Sequence, residues 1–430
     1  MIHHHHGNFS SYKTITRLIC LYCFSIVLTF PSTAHADGGF PIVGVLHAGN
    51  HPEAMAVDMQ THMLYIAYEA SGLVVGFDPT RSTVRWHVSL GSSAVDLQVD
   101  STNHHVYASV ISPHNRESDL FILDGATGRT LSMLHVGSGE QSIAFDTNRH
   151  RVYVASEDNG TIYVFTYLSG QQDSEIRIQS LQLLRVGSHA TAIGVNSRLG
   201  RLYVADGVQA KITVIDENSE QVLTTIQVGA LPLPPLRIDE ATGKIFVVCS
   251  TGQELDIIDG NTNKVITRIP VAPYPEGIAI QTATGRIYVA DEGNKENSSN
   301  KNLGNTITVI DGQTFDKLGT LQIGQGPDGV AADPALHLIY IAVEDTGAVV
   351  ELSDSVDLPL KPDTTVRQTL AARQAASLLQ QATMVTLIAM LLTIVVATLT
   401  ALLQRWRVQE SLQTPPVGAL SRSDQHILPR

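Results

Sequence analysis

Arg286-Ile287-Tyr288-Val289-Ala290-Asp291 is the stretch that decides the fold, because similar stretches recur along the chain. Each copy places one aromatic residue among apolar, strand-forming neighbours. Seven aromatic residues mark the copies, at Tyr65, Tyr107, Tyr153, Tyr203, Phe246, Tyr288 and Tyr340. Their spacing of about 42 to 52 residues is typical of a four-stranded propeller blade. The repeat predicts an all-β fold, a seven-bladed β-propeller of four-stranded antiparallel blades.

The two ends of the repeat region predict how the ring closes. The seventh unit supplies three strands and ends near Leu352. The missing fourth strand has a match at the other end, where residues 42–49 (IVGVLHAG) resemble residues 318–324 (LGTLQIG). We therefore expect the N-terminal strand to complete the last blade, which removes the open edges that a propeller must hide.

Histidine recurs at one place in the repeat, three residues before the blade aromatic. Four units carry it there, at His62, His104, His150 and His337, and three units carry glycine, at Gly200, Gly243 and Gly285. Glycine favours positive φ, and histidine tolerates it better than most residues do. The pattern predicts a left-handed turn residue in each blade, and not a shared metal site.

These repeats resemble the YVTN family of β-propeller repeats, and the resemblance covers about residues 41–352. It implies a seven-bladed propeller of the cell-surface or periplasmic type. It leaves the function open, because related propellers include binding proteins and a few enzymes.

The ends of the chain predict export and anchoring. Lys13 and Arg17 precede an apolar stretch, and Ala34-His35-Ala36 matches a signal-peptidase site, so residues 1–36 are expected to be a cleaved signal peptide. Residues 382–404 are long and apolar enough for one transmembrane helix. The chain then divides into the propeller (37–354), a tether with a juxtamembrane helix (355–381), the membrane span and a disordered cytoplasmic tail (405–430). This predicts a single-pass cell-membrane protein with its propeller on the periplasmic or extracellular side.

Composition narrows the partners. The formal net charge of −13 argues against nucleic acid, which requires a basic surface. Only Cys249 remains after removal of the signal, so an internal disulfide is excluded. No CxxCH haem motif or GxSxG nucleophile elbow occurs, and no catalytic residue or organic cofactor is assigned.

Carboxylates recur on the face that carries the mouth of the central channel. The residue after the turn proline is acidic in three successive blades, at Glu53, Glu276 and Asp328. The second strands of the same blades end in acids, which include Glu69, Glu292 and Glu344. Such a cluster suits a hard cation such as calcium, or a basic partner. The alternative is that these acids only bond the local backbone in tight turns.

Two histidines, His51 and His189, stand in the loops that lead into the first strand of a blade and are further candidate ligand contacts at the mouth. Three functional hypotheses stay open at this point. The first is a binding scaffold for a protein or another envelope component. The second is a lactonase or lyase with Glu53, Glu276 and Asp328 at its centre. The third is a docking subunit of a larger membrane complex.

Overall fold

A computed structural model of the chain describes residues 42–168, 177–293 and 303–355. These residues form seven antiparallel sheets of four strands each, arranged as the blades of a propeller. The all-β, seven-bladed prediction is confirmed. The predicted signal peptide, tether, membrane span and tail lie outside the described residues. Among the described residues, no helix is long and apolar enough to cross a membrane.

Each of blades one to six consists of four consecutive strands, and the first strand of each is innermost, because it contacts the first strands of the neighbouring blades. Blades one to three are β2 (Pro52–Val57), β3 (Leu64–Tyr68), β4 (Leu73–Asp78), β5 (Thr83–Ser89); β6 (Ser93–Asp100), β7 (His105–Ile111), β8 (Glu117–Asp124), β9 (Thr130–Ser138); and β10 (Gln141–Asp146), β11 (Arg151–Ser156), β12 (Thr161–Leu168), β13 (Arg177–Arg185). Blades four to six are β14 (Ala192–Asn196), β15 (Arg201–Asp206), β16 (Lys211–Asp216), β17 (Val222–Gln227); β18 (Pro232–Asp239), β19 (Lys244–Cys249), β20 (Glu254–Asp259), β21 (Lys264–Pro270); and β22 (Pro275–Gln281), β23 (Arg286–Gly293), β24 (Leu303–Asp311), β25 (Lys317–Gln322).

Blade seven closes the ring with strands from both ends of the propeller. Its three C-terminal strands are β26 (Pro327–Asp333), β27 (Leu338–Val343) and β28 (Ala348–Ser353). The N-terminal strand β1 (Ile42–His47) pairs antiparallel with β28, with Leu46 opposite Val349. The predicted closure by the N-terminal strand is confirmed. Short 3-10 turns follow β3 at Glu69–Ser71 and β27 at Glu344–Thr346.

The core lies between the blades, in seven apolar clusters that each combine residues of two neighbouring blades. The recurring aromatic residues are buried in these clusters, and some tyrosine hydroxyls reach the next blade. Tyr65 donates a hydrogen bond to the carbonyl of Gly125 at 3.1 Å, and Tyr203 donates one to the carbonyl of Gly260 at 3.3 Å. The aromatic residue therefore recurs because it both fills the interblade core and fastens consecutive blades.

The recurring histidines occupy the predicted left-handed turns. His62, His104, His150 and His337 have φ between 53° and 61°, and the three glycines at this place also have positive φ. Two of the histidines also contact the preceding blade. His62 Nδ1 lies 2.9 Å from Asp333 Oδ2, and His104 Nδ1 lies 2.7 Å from Asp58 Oδ2. The turn interpretation is confirmed for all four histidines, and His62 and His104 also link neighbouring blades on the rim opposite the channel mouth.

Candidate functional site at the channel mouth

The innermost strands of blades six, seven and one pack closely at the rim where each strand begins with proline. A Cβ atom on Gly277 would overlap the carbonyl oxygen of Asp328, and one on Gly329 would overlap that of Glu53. Only glycine permits backbones to approach this closely. The Pro-acid-Gly sequence therefore brings the acidic residues of successive blades side by side at the mouth of the channel.

Three carboxylates converge at this rim. Oxygen atoms of Glu276, Glu292 and Asp328 all lie within 4.8 Å of one another. Glu292 is only 2% exposed and Asp328 only 6%, whereas Glu276 is half-buried. Calcium binds carboxylate oxygens at about 2.3–2.6 Å, so one ion between the three could contact all of them. An ammonium or guanidinium group of a ligand suits the same arrangement. We call these three residues the carboxylate triad.

The predicted residue Glu53 is not part of the triad. It is half-buried on β2, one blade further around the ring, and its carbonyl packs against Gly329. Glu276 and Asp328 were predicted together with Glu53, and the structure brings them together with Glu292 instead. Metal binding at these residues stays a prediction.

A second group of predicted residues meets between blades seven and one. His51 Nδ1 lies 3.0 Å from Glu344 Oε1, and the amide of Glu69 donates to the carbonyl of His51 at 3.0 Å. His51 is about half exposed, so solvent reaches this pair. His189 stands apart, in the linker before blade four. Its Nδ1 atom is buried and has no hydrogen-bond partner among the described residues.

Blade three adds two acids that were not among the predicted site residues, Glu140 and Glu157. Surrounding protein atoms raise the pKa of Glu140, and the charges of Glu157, Glu69 and Glu276 raise it further, against the opposing effect of Arg116. Glu276 belongs to blade six, so its charge acts on Glu140 across the channel. The negative potential therefore extends around the mouth.

A signal for one of these two acids was present in the repeat. Glu157 lies four residues after the blade aromatic, which is the place of Glu69, Glu292 and Glu344 in their blades. Glu140 precedes the aligned position, which Gln141 occupies, and therefore escapes an alignment of the repeats. Arg116, in the loop inserted at 112–118, balances part of the charge on blade three through an ion pair of 3.4 Å to Glu157.

Asp291 precedes Glu292 on β23 but does not join the mouth. Successive strand residues point to opposite faces, so its carboxylate lies inside blade six. Thr306 and Thr308 donate hydrogen bonds to it at 3.1 and 2.7 Å. Burial raises the pKa of Asp291 to about 7, against the opposing effect of those hydrogen bonds. Asp291 therefore carries only part of a negative charge near neutral pH.

A scan against protein-family models matched nothing in this chain. A search of curated proteins likewise found no significant relative. The fold and the site together define a seven-bladed β-propeller with an acidic channel mouth.

Proposed function

We propose that this protein is a membrane-anchored, extracytoplasmic binding scaffold that captures a positively charged group of a protein or another envelope component at its channel mouth. The convergence of the carboxylate triad carries this proposal. The apolar sequences at 18–30 and 382–403 support export and anchoring. A β-propeller is commonly a binding fold, because loops on a rigid ring present a stable surface.

Burial makes the triad a stronger cation site than acids on an open surface would be. Two of its three side chains are more than nine-tenths buried, so water screens their charges poorly. A cleft lined by one sign of charge also concentrates ions of the opposite sign before they bind. The acids of blades one, three and seven extend this effect around the mouth.

The test compares binding of a fluorescent tetralysine peptide by the purified full-length chain and by two matched variants. Asp328→Asn removes one charge from the triad. Asp316→Asn removes the same charge from an exposed turn on the opposite rim of the propeller, next to blade six's last strand. We expect Asp328→Asn to weaken binding of the peptide about fivefold, since the lysine side chains of a bound peptide stay partly exposed at the mouth and such an ion pair is worth about 1 kcal/mol. Asp316→Asn should leave the affinity unchanged.

Salt provides a second readout of the same proposal. The affinity of the original protein for the peptide should fall as salt rises, and the affinity of Asp328→Asn should fall less steeply. Equal affinities of the two variants at low salt would contradict capture at the channel mouth.

Calcium is the second candidate ligand, and the spacing of the triad oxygens favours it. Metal analysis and calcium-dependent melting of the full-length chain test this candidate. If calcium binds, a concentration one hundred times the Kd stabilises the fold by about 2.7 kcal/mol. That stabilisation should vanish in Asp328→Asn and persist in Asp316→Asn. A melting temperature that does not respond to calcium, with no metal bound, would exclude this ion.

A further inference from the structure

The innermost strand of blade five places an arginine where most other blades have a small residue. Arg237 lies on β18, two residues before the acid that ends the strand. Five of the seven innermost strands carry alanine or glycine there, at Ala56, Ala144, Gly194, Ala279 and Ala331. A long cationic side chain at this position is a departure from the repeat, and the packing of small residues does not require it.

The side chain of Arg237 reaches into the central channel. Its Nε atom donates a hydrogen bond to the carbonyl of Ile278, on the innermost strand of blade six, at 3.1 Å. Its charge also acts on Asp96, on the innermost strand of blade two. Blades two and five are not neighbours in the ring, so this interaction crosses the channel. Solvent still touches Arg237, although protein surrounds it.

The hydrogen bonds of Asp96 join blade two to blade three. Its carboxylate accepts the amides of Leu97 at 2.7 Å and of Ile143 at 2.8 Å, together with a weaker bond from Gln98. Among the described residues, no ion pair within 4.0 Å joins Asp96 to Arg237. The Nη groups of Arg237 make no hydrogen bond to a described residue. A guanidinium group that is surrounded by protein and still has free N–H donors binds an anionic oxygen strongly.

The position of this arginine relative to the triad sets the size of the ligand. Ile278, which accepts from Arg237, lies two residues after Glu276 on β22. Two residues of regular strand span about 7 Å, and the irregularity of β22 between Pro275 and Ile278 makes this an upper limit for their separation along the strand. A purely anionic ligand would be repelled by the acids of the mouth, whereas a ligand that also carries a cation would be attracted to them.

We propose that the channel binds a small zwitterionic ligand, with its ammonium group at the carboxylate triad and its carboxylate at Arg237. The ammonium end rests on the function proposed above, and the carboxylate end rests on Arg237 alone. The two ends can therefore be tested separately.

The test uses two probes of the same length with the full-length chain, measured by isothermal titration calorimetry. Aminocaproate carries an ammonium and a carboxylate joined by five methylenes, and aminocaproamide replaces its carboxylate with a neutral amide. The original protein should bind aminocaproate about tenfold more tightly, which is the effect of one charge-assisted hydrogen-bond pair. Arg237→Gln should bind both probes equally. Asp328→Asn should lower the affinity for both probes by the same factor.

Arg237→Lys keeps the positive charge and covers the case in which Arg237→Gln does not fold. It should retain only part of the preference for aminocaproate, because lysine lacks the planar pair of donors that a carboxylate fits. Equal binding of the two probes by the original protein overturns the carboxylate site but leaves the cation site standing. A preference that persists in a folded Arg237→Gln variant also overturns it. Failure of both probes to bind contradicts both proposals.

Discussion

Glu217 provides the sharpest prediction about stability, because it is a buried acid between blades three and four. It is only 1% exposed. Tyr153 donates a hydrogen bond to its Oε1 atom at 2.8 Å, and Arg149 Nη1 lies 3.0 Å from its Oε2 atom. Burial and the neighbouring Asp146 raise the pKa of Glu217 to about 7. Burial would also raise the pKa of Asp146, but hydrogen bonds with Glu217 and Arg149 lower it below its ordinary value. Glu217 therefore holds the proton of the pair.

The raised pKa of Glu217 makes the fold less stable as the pH rises. Below about pH 4.5 this side chain is protonated in both the folded and the unfolded chain, so it has no effect on the free energy of unfolding. Between 4.5 and 7 the unfolded chain loses the proton first, and folding becomes less favourable. This difference between the pKa of Glu217 in the folded and in the unfolded chain lowers the free energy of unfolding by about 3 kcal/mol above pH 7.

Glu217→Gln should remove this loss of stability at high pH, because the amide keeps the shape and the hydrogen-bonding capacity of the protonated acid. We expect the variant to match the original protein at pH 4.5 and to exceed its free energy of unfolding by about 2–3 kcal/mol at pH 8. Urea unfolding of the full-length chain, followed by circular dichroism at several pH values, measures this difference. Glu240→Gln removes the same charge from an exposed site and should change stability by less than about 0.5 kcal/mol. Parallel pH curves for the original protein and Glu217→Gln would refute the reasoning.

Three further variants test the fold and the anchor. Gly277→Ala should destabilise the protein by about 1–3 kcal/mol in urea unfolding, because its Cβ would overlap the backbone of blade seven. Gly319→Ala is the control and should not destabilise the protein, because Gly319 also lies in blade six but has nothing within 4 Å of a Cβ atom. Tyr203→Phe should cost about 1 kcal/mol in the same assay through loss of its bond to blade five, and an unchanged stability would remove the fastening role of the hydroxyl. Deletion of residues 382–430 should move the protein from the membrane fraction to the soluble fraction on cell fractionation, and retention in the membrane would contradict the predicted anchor.

The blade count and the closure of the ring could be predicted because each blade is one repeating unit with its own turns and strands. Tyr288 and its counterparts mark the same place in every blade, so their number gives the number of blades. The match between residues 42–49 and 318–324 identified β1 as the missing strand. The left-handed turn histidines were predictable for the same reason, since a backbone requirement shared by all blades appears at one place in the alignment.

The candidate site was only partly predictable, because an alignment gives the position of a residue along its blade but not the direction of its side chain. Glu53, Glu276 and Asp328 occupy the same place in three blades, yet Glu53 lies outside the triad. Asp291 and Glu292 are adjacent in sequence, yet one lies inside the blade and the other at the mouth. The alternation of side chains along a strand separates Asp291 from Glu292. Glu53 lies on blade one, whereas the triad joins only blades six and seven, and a repeat pattern does not specify which neighbouring side chains meet.

Arg237 was not predicted as a site residue, because the predicted candidates were residue types that recur in several blades. It departs from the repeat, and the residue whose charge it meets, Asp96, is in a blade that is not its neighbour. A ring of identical blades would give the channel the same charge on every side. Acids lie on blades six, seven, one and three, whereas Arg237 comes from blade five and Arg116 lies beside the acids of blade three, so the charge differs from one side of the channel to another. Because the repeat already satisfies the needs of the fold, we expect such departures from it to be the positions that select a ligand.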